Sequence, residues 1–504
     1  MSERIRFFKS GAMLTAVALA MRTAAMLFGA FVSRTVGAEG TGLYTVIMTV
    51  YSFALTFATS GISLTVTRLV ASAIGEGRAE RVGRIFRSAL IYSLCFGLFS
   101  TFLLFFGANF IGKFILNDAR TVLSLKVLAF SLVPVSLGSV VGGYFVGVRR
   151  VGFNAASQVL GQMLKIFVTV ILVVRLSAGG VESCVMALCL GITLTEILGF
   201  LIQILCFAYD RYKYARAVRR SQSRELGAVA KTALPLAFSA YVRAALLSLE
   251  HILIPKRLTD GGESSSEAYS NYGLLHGMAL PVILYPMTPL SSFSGLLVPE
   301  FANDISAGKH DRMSRVASEA LGATLVYASV SAVILYSFSE ELGYVIYGSY
   351  EAGYYIRALA PVVPIMYLDH VTDSMLKGIG EQVFSMWVNI TDSVLSIALV
   401  WLLIPKMGIL GYAVVIVVME GYNFALSFFR LRKKIKFKIN LFKSLGEPLL
   451  ASFIATFITN ALFDFSGRHV PLLWLIMKII FSLAAVVFIL TLTRVKIGKK
   501  QMAT

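Results

Sequence analysis

The chain has 504 residues, of which 57% are hydrophobic and only 14% are charged, and its mean hydropathy is +0.77. A soluble protein usually carries about a quarter charged residues, and a soluble fold this apolar would expose large sticky patches. The composition therefore excludes an ordinary soluble protein and indicates an integral membrane protein.

Long apolar segments of membrane-spanning length recur along the whole chain. They predict about fourteen transmembrane helices in an all-α integral membrane protein, with approximate bounds 10–32, 42–66, 86–108, 122–147, 153–175, 182–208, 231–254, 272–298, 318–337, 355–378, 383–404, 409–430, 446–464 and 470–493. The tenth segment is the least apolar, because it contains Pro361, Pro364, Asp369, His370 and Asp373. A span is still predicted there, because basic residues fall in every second loop only if the chain crosses the membrane at this segment.

Basic residues concentrate in every second loop and at both termini. These regions hold roughly two thirds of the 46 Lys and Arg residues, so the positive-inside rule places them, and both termini, in the cytoplasm. Basic loops beside anionic lipid account for the net charge of +19, and no nucleic-acid partner is expected. The first segment is too long for a signal peptide and carries Arg22, so it is predicted to be a permanent helix.

One loop sequence occurs twice. IGEGRAERVGR at 74–84 recurs as ISAGKHDRMSR at 305–315, an offset of 231. At the same offset Gly147 matches Gly378, and Gly180 matches Gly411. The pattern predicts two parallel six-helix halves. The expected domains are an N-lobe at 1–225, a C-lobe at 226–440, and the last two helices with a basic tail at 441–504; the linker is the basic run 210–227.

Charges near the middle of the predicted helices are the candidate substrate ligands, since such groups are costly in a bilayer and usually face a cavity. Arg22 and Arg243 lie on the equivalent first helices of the two halves. A guanidinium suits phosphate because its planar fork donates two hydrogen bonds and stays charged. Arg22, Arg243 and Lys165 are therefore predicted to bind substrate. The alternative is that each pairs with a buried carboxylate, such as Glu196 or Asp369, and only fixes helix packing.

Oxygen-bearing side chains suggest an ion path. Glu250 with Asn389 and Asp392 offers ligands for sodium or a proton relay, although simple helix capping is the competing interpretation. Glu196 and Asp369 are further candidates for ion coupling or gating. No metal-ligand spacing and no phosphate-loop motif are present in the sequence. No cofactor is expected, and transport energy would come from a Na+ or H+ gradient, the membrane potential or downstream consumption.

The segment 247–302, which begins LSLEHILIPKRL, resembles the stage V sporulation protein B group of the multidrug/oligosaccharidyl-lipid/polysaccharide (MOP) exporter superfamily. SRTVGAEGTGLY at 33–44 and LVPE at 297–300 carry the same resemblance. It implies a MATE-like fold of two six-helix lobes plus two helices, in a bacterial plasma membrane, with a role in cell-wall, peptidoglycan or sporulation polysaccharide.

The same resemblance implies roles for particular residues. The group is similar to the lipid II flippase, in which helices 1, 2, 7 and 8 line a cationic cavity, and Arg22 matches an arginine of that flippase's first helix. One position departs from the pattern. Many relatives carry Glu and a later Arg in helix 5 after a Ser-Gln pair, whereas Ser157-Gln158 is here followed by Gly161 and Lys165. A role for that carboxylate is therefore not carried over.

The sequence features are compatible with three functions to different degrees. The first is a flippase or exporter that moves a polyprenyl-linked, anionic sugar precursor by alternating access. The second is an efflux transporter for organic cations, which would need an uncompensated carboxylate in the amino lobe, where Arg22 and Lys165 instead oppose Glu196. The third, a membrane enzyme, is disfavoured because the outer loops are short and hold few paired acids. The expected partners are membrane lipid, the sugar-lipid substrate and polysaccharide-synthesis enzymes; the sugar and the oligomeric state stay open.

Overall fold

The computed structural model describes residues 2–176, 179–214, 225–463 and 472–501, without the side chains of 2–18, 79, 151, 154, 155, 210–214, 236, 239 and 493–501. Residues 215–224, most of the predicted linker, lie outside this set. The described residues contain helices and no strand. The helices are α1 Ser2–Thr59, α2 Ile62–Gly75, α3 Ala79–Phe110, α4 Thr121–Ala129, α5 Leu132–Gly147, α6 Val151–Leu176, α7 Gly180–Tyr214, α8 Leu226–Asp260, α9 Ser265–Tyr272, α10 Leu280–Leu284, α11 Met287–Ser306, α12 His310–Ser337, α13 Ser339–Tyr347, α14 Tyr350–Leu359, α15 Val363–Gly378, α16 Gln382–Met407, α17 Ile409–Lys434, α18 Glu447–Leu462 and α19 Leu472–Gln501.

The spans agree with the predicted number. Within the described residues, nine helices are long and apolar enough to cross a membrane, or twelve if each of three bent helix pairs is one span. One of the nine, Leu19–Gly75, has 57 residues, about 85 Å at 1.5 Å per residue, which suffices for two crossings of a core about 30 Å thick. The run 350–378 is helical apart from a 3-10 turn at Ala360–Val362 and adds another. With the second crossing of Leu19–Gly75 and the run 350–378, the described residues can form fourteen spans. The all-α, multi-pass fold class is confirmed.

Helix α1 is interrupted at Gly37, whose φ of 71° is not helical, and this break lies between the predicted spans 10–32 and 42–66. Other breaks fall inside predicted spans. The segment predicted as one helix over 272–298 instead bends by 60° between Leu284 and Met287. Pro286 lies at that bend and cannot donate a helical hydrogen bond. The helix pair α4 and α5 is bent by 40° at Phe130 and Ser131, where neither residue is a helix breaker. Only the first two breaks carry a sequence signal.

Packing divides the chain into two compact units, one of residues 35–270 and one of residues 1–34 with 271–504. The core of the 35–270 unit lies among α2, α3, α5 and α8, and includes Val66, Phe86 and Val140. The core of the second unit lies among α11, α12, α15 and α17, and includes Leu297 and Val371. These units follow side-chain packing, whereas the domain boundaries at 225 and 440 follow the sequence repeat and remain a prediction.

The repeated loop has the same backbone geometry in both copies. Gly77 and Gly308 have φ of 71° and 66°, a left-handed conformation that closes a helix and favours glycine. The residue after each glycine donates its amide to a carbonyl five residues earlier: Arg78 to Ala73 at 2.9 Å and Lys309 to Asp304 at 2.8 Å. The sequence match at this loop therefore corresponds to one repeated turn.

One arginine in each loop, Arg81 in the first and Arg312 in the second, binds carboxylates of its own unit. The Arg81 guanidinium donates to both carboxylate oxygens of Glu225, at 3.0 and 3.1 Å. Its counterpart Arg312 donates to Asp304 at 2.8 Å and to Glu300. Arg81 and Arg312 therefore stabilise local structure. Neither belongs to the predicted substrate-binding residues.

Gly147 and Gly378 mark a second equivalence. A Cβ on Gly147 would lie 2.9 Å from Val70 Cβ, and one on Gly378 would lie 2.8 Å from Phe301 Cβ. Val70 and Phe301 are themselves 231 residues apart. Each glycine thus lets one helix approach another closely at the same place in the repeat.

The third match, Gly180 with Gly411, is wrong by three residues. Gly180 has φ of 82° and begins α7. The residue in the corresponding conformation before α17 is Gly408, with φ of 60°, whereas Gly411 lies inside that helix. The connection before α17 therefore has a different length, which a gap-free alignment cannot represent.

Candidate substrate and ion sites

Arg22 projects from α1 in the unit that contains 271–504, and its side chain is exposed. The neighbouring Thr23 hydroxyl lies 2.8 Å from the Tyr285 hydroxyl, which fixes this face of α1 near the bend at Pro286. Arg22 also interacts electrostatically with Tyr367, whose hydroxyl donates to Ile283 O at 2.8 Å. Among the described residues of its own unit, no carboxylate lies within 4.0 Å of the Arg22 guanidinium.

Arg243 presents the same chemistry on α8 in the 35–270 unit. Its side chain is exposed, and the described residues of that unit place no carboxylate within 4.0 Å of it. The helix is anchored two residues earlier by Tyr241, which stacks on Phe57 at 4.9 Å. The packing alternative requires each arginine to have a buried carboxylate partner, and neither has one within its unit.

The exposed arginines limit which environment their helices can face in a membrane. A charged side chain exposed to hydrocarbon near mid-membrane costs several kcal/mol, and such groups therefore face the protein interior or a water-filled cavity. Arg22 and Arg243 are exposed, and neither has a carboxylate within 4.0 Å among the described residues of its unit. Each guanidinium can therefore accept an external anion.

Lys165 and Glu196 lie on α6 and α7 and are both half-buried. They interact electrostatically, although their charged atoms are not within 4.0 Å of each other. Lys165 is therefore partly compensated, unlike the two arginines. It is a weaker candidate for direct contact with an anion and a stronger one for setting the local potential.

Three acidic side chains converge in the second unit. Asp369 on α15, Asp392 on α16 and Glu420 on α17 are half-buried, and each pair interacts electrostatically. Asp369 accepts a hydrogen bond from Ser427, yet its Oδ1 atom is buried without a hydrogen-bond partner among the described residues. Like charges in a low-dielectric environment disfavour one another's ionised forms. Asp369, Asp392 and Glu420 are therefore candidates for ion coupling.

Nearby polar groups are already engaged. Asp373 forms an ion pair with Lys377 and accepts a hydrogen bond from Ser385. Asn389 donates its amide to Ser385 O, one turn earlier on α16, at 2.7 Å. Glu250 is half-buried on α8 and belongs to the other packing unit. The structure therefore groups Asp369 and Asp392 with Glu420 within one unit.

Sequence reasoning did not group Glu420 on α17 with Asp369 and Asp392. Glu420, Asn423 and Ser427 follow i, i+3 and i+7 spacing, so they lie on one face of the helix. The Oδ1 atom of Asn423 is also buried without a hydrogen-bond partner among the described residues. That spacing in an otherwise apolar segment was the available signal. Within the described residues, no three His, Cys, Asp or Glu side chains form a group that could hold a metal ion.

Comparison with solved structures defines the class of protein. The fold is similar to that of "Lipid II flippase MurJ, inward closed conformation", with a TM-score of 0.72, 14% identity, and coverage of 96% of this chain and 99% of that chain. It is also similar to an inward-facing multidrug resistance MATE family transporter of the MOP superfamily, with a TM-score of 0.68, 16% identity, and coverage of 83% and 98%. The protein therefore has the fold of the MOP transporters and flippases rather than that of an enzyme.

The sequence comparisons then give the family. Residues 7–303 match the family described as polysaccharide biosynthesis protein, and residues 276–402 match the MatE family. The chain belongs to the polysaccharide biosynthesis protein family. It is 25% identical to stage V sporulation protein B of Bacillus subtilis (strain 168) over 418 residues, which is 82% of this chain and 80% of that protein. It is also 20% identical to sporulation protein YkvU of the same organism, over 79% and 88%.

Proposed function

We propose that this protein translocates a polyprenyl-linked, anionic saccharide precursor across the bacterial plasma membrane by alternating access. The observation that carries the proposal is Arg22, an exposed guanidinium on an apolar helix with no carboxylate within 4.0 Å among the described residues of its unit. A diphosphate group is the anion that such a planar donor binds best. The relation to MOP-superfamily flippases supports a lipid-linked substrate.

Arg243 would bind a diphosphate group in the same way within its own unit, where Lys165 would raise the local positive potential. The two arginines are the head-group ligands in this proposal. A polyprenyl tail would stay in the lipid, since burying its long apolar chain in a charged site gains nothing. Polysaccharide-synthesis enzymes would supply the substrate on the cytoplasmic side, where the basic loops and both termini would lie.

The acidic cluster supports a second candidate, the efflux of organic cations. Asp369 and Asp392 lie within the part of the chain that matches the MatE family, 276–402. A site with three carboxylates would bind a cation, whereas Arg22 in the same unit would repel it. The two proposals therefore predict opposite charge selectivity.

A transport assay in proteoliposomes separates these two functions. The probes are a fluorescent polyprenyl diphosphate linked to a sugar and a fluorescent organic cation. We expect the first to move and the second not to move, with transport of the first lost in Arg22→Gln and Arg243→Gln. Arg432→Gln is the matched control, because Arg432 is exposed at the basic end of α17. Transport of the cation alone would replace the first proposal by the second.

We further propose that Asp369 and Glu420 couple transport to protons. They have no cation within 4.0 Å among the described residues of their unit, and clustered carboxylates share protons readily. Imposing a proton gradient on the proteoliposomes should accelerate transport, whereas a sodium gradient should not. Asp369→Asn should remove the acceleration and leave binding of the diphosphate probe intact. Acceleration by sodium alone, or an unchanged response in the variant, would contradict proton coupling.

A further inference from the structure

A cavity lies within the 271–504 unit, and neither Arg22 nor the acidic cluster is among its lining residues. Its volume is about 710 Å³, within the roughly 300–1,000 Å³ of small-molecule sites. It opens where α12 ends, beside α13, α14 and the last turns of α18. The opposite end of α12 begins at the basic loop 305–315, so under the proposed orientation this cavity faces the exterior.

The walls of the cavity combine aromatic faces with planar polar groups. Tyr344 and Tyr350 are stacked, with ring centroids 4.7 Å apart and planes 19° apart. Tyr336 lies beneath the Arg357 guanidinium at 4.9 Å, and Phe457 contributes an exposed ring from α18. Aromatic faces with a few fixed polar groups suit a ligand that has both apolar C–H faces and many hydroxyls.

The charges of the cavity argue against an anionic ligand. Arg357 is engaged by Glu340 at 3.5 Å. Glu341, the second acidic wall residue, accepts from Lys478 at 3.3 Å. The buried Lys478 also donates to Asn460 Oδ1 at 3.3 Å, so the amide nitrogen of Asn460 is not engaged by that lysine. The lining is close to electroneutral and rich in hydrogen-bonding groups, which favours a neutral polyol over a phosphate.

The aromatic wall is held rigidly by its helix hairpin. A Cβ on Gly343 would lie 2.4 Å from Gly353 N, and one on Gly353 would lie 2.8 Å from Glu340 Cα, so α13 and α14 touch backbone to backbone. Gly348 turns the chain with φ of 73°, and Ser349 caps α14 by accepting from Ala352 N at 3.2 Å. A preformed wall of this kind lowers the entropy cost of binding.

We propose that this cavity is a saccharide-binding site, distinct from the arginine sites, that receives the sugar part of the substrate on the exterior side. The aromatic rings would stack against pyranose C–H faces, while Glu340, Asn460 and Arg357 would hydrogen-bond to hydroxyls. The exterior placement and the substrate connection rest on the proposed function. The binding of a saccharide by the cavity does not.

The test is a binding measurement on the full-length protein in detergent, by ligand-observed NMR and calorimetry. The probes are chitotriose and maltotriose, with glycerophosphate as the anionic comparison. We expect at least one trisaccharide to bind and Tyr350→Ala to weaken it roughly tenfold or more, as for loss of a central aromatic anchor. Tyr350→Phe should retain binding, because the ring face remains. Tyr354→Ala is the matched control, since Tyr354 is equally exposed on α14 but does not line the cavity.

Three results would overturn the proposal: no trisaccharide binds, glycerophosphate binds more tightly than every trisaccharide, or binding survives Tyr350→Ala unchanged. Phe457→Ala, at an exposed wall residue on a different helix, guards against a misfolded Tyr350 variant and should weaken the same probe. Absence of saccharide binding in wild-type protein that transports the diphosphate probe would refute this site alone. Absence of that transport in wild-type protein that binds a saccharide would refute the proposed function alone.

Discussion

At the scale of single residues, the difference between Arg22 and Lys478 shows what separates a functional charge from a packing charge. Lys478 is 6% exposed and has both Glu341 and Asn460 as hydrogen-bond partners. Arg22 is exposed and has no carboxylate nearby among the described residues of its unit. The sequence identifies both as charges within apolar helices. It cannot distinguish them, because Glu341 is 137 residues from Lys478 and only folding brings the two together.

Glu381 provides a prediction about pH at this scale. It lies outside the spanning helices, where hydrogen bonds from Lys434 and Arg430 lower the pKa of its carboxyl below its usual value. A depressed folded pKa means that the ion pairs stabilise the fold above the unfolded pKa, about 4.3, and that this stability is lost as the pH falls through the folded value. Glu381→Gln should therefore cost on the order of 1 kcal/mol at pH 7.

The measurement is the thermal unfolding of both proteins in detergent at several pH values. The difference in melting temperature should be constant above about pH 5 and shrink as the pH falls further. Glu351→Gln is a suitable comparison, because Glu351 is exposed on α14. A difference that stays constant down to acid pH would show that the Glu381 carboxylate contributes nothing through its charge.

At the scale of helices, the sequence predicts that a helical span forms better than it predicts where that span bends. The tenth span was expected despite its prolines and acids, and it is helical with a break at Ala360–Val362. Pro361 lies in that turn, as a residue without an amide donor allows. The bend between α4 and α5 has no such residue, and it arises from tertiary packing that no local pattern encodes. The glycines of the repeat have identifiable structural roles. Gly77 and Gly308 adopt positive φ, and Gly147 and Gly378 allow close helix packing.

Gly378 provides a test of close helix packing. A Cβ there would lie 2.9 Å from Val298 O on α11, so Gly378→Ala must push α15 away from backbone atoms and should cost about 1–3 kcal/mol. Gly147→Ala should cost a similar amount in the equivalent place, where Thr67 O lies at 3.1 Å.

The control for these variants is Gly161→Ala, since nothing lies within 4 Å of a Cβ at that helical position. It should have little effect. Chemical or thermal unfolding of the purified proteins would measure all three. Equal stability of the Gly378 and Gly161 variants would mean that the close approach of α15 to α11 is not maintained in the membrane protein.

At the scale of the whole molecule, the number of spans and the repeated turns were accessible from sequence, whereas the packing units were not. Residues 1–34 pack with 271–504, although they belong to the first half by sequence. Order along the chain determines which segments are homologous, but it does not determine which segments share a core. For the same reason the meeting of Asp369, Asp392 and Glu420 was only partly predicted.

The proposed orientation can be tested on intact cells. Single cysteines are introduced at Ser266, exposed in the first turn of α9, and at Lys433, in the exposed basic end of α17. The four native cysteines are first replaced. A membrane-impermeant maleimide should label Ser266→Cys in intact cells and Lys433→Cys only after lysis. The reverse pattern would place the basic loops outside.

The central claim, that Arg22 binds the anionic head group, is tested most directly by affinity. A short-chain prenyl diphosphate and the matching uncharged prenol are titrated into the purified protein and into Arg22→Gln and Arg22→Lys. Loss of a charge-assisted hydrogen bond of about 1.5–3 kcal/mol predicts diphosphate binding about 10–150-fold weaker in Arg22→Gln, with Arg22→Lys in between and prenol binding unchanged. Equal diphosphate affinity in the wild-type protein and Arg22→Gln would contradict the claim.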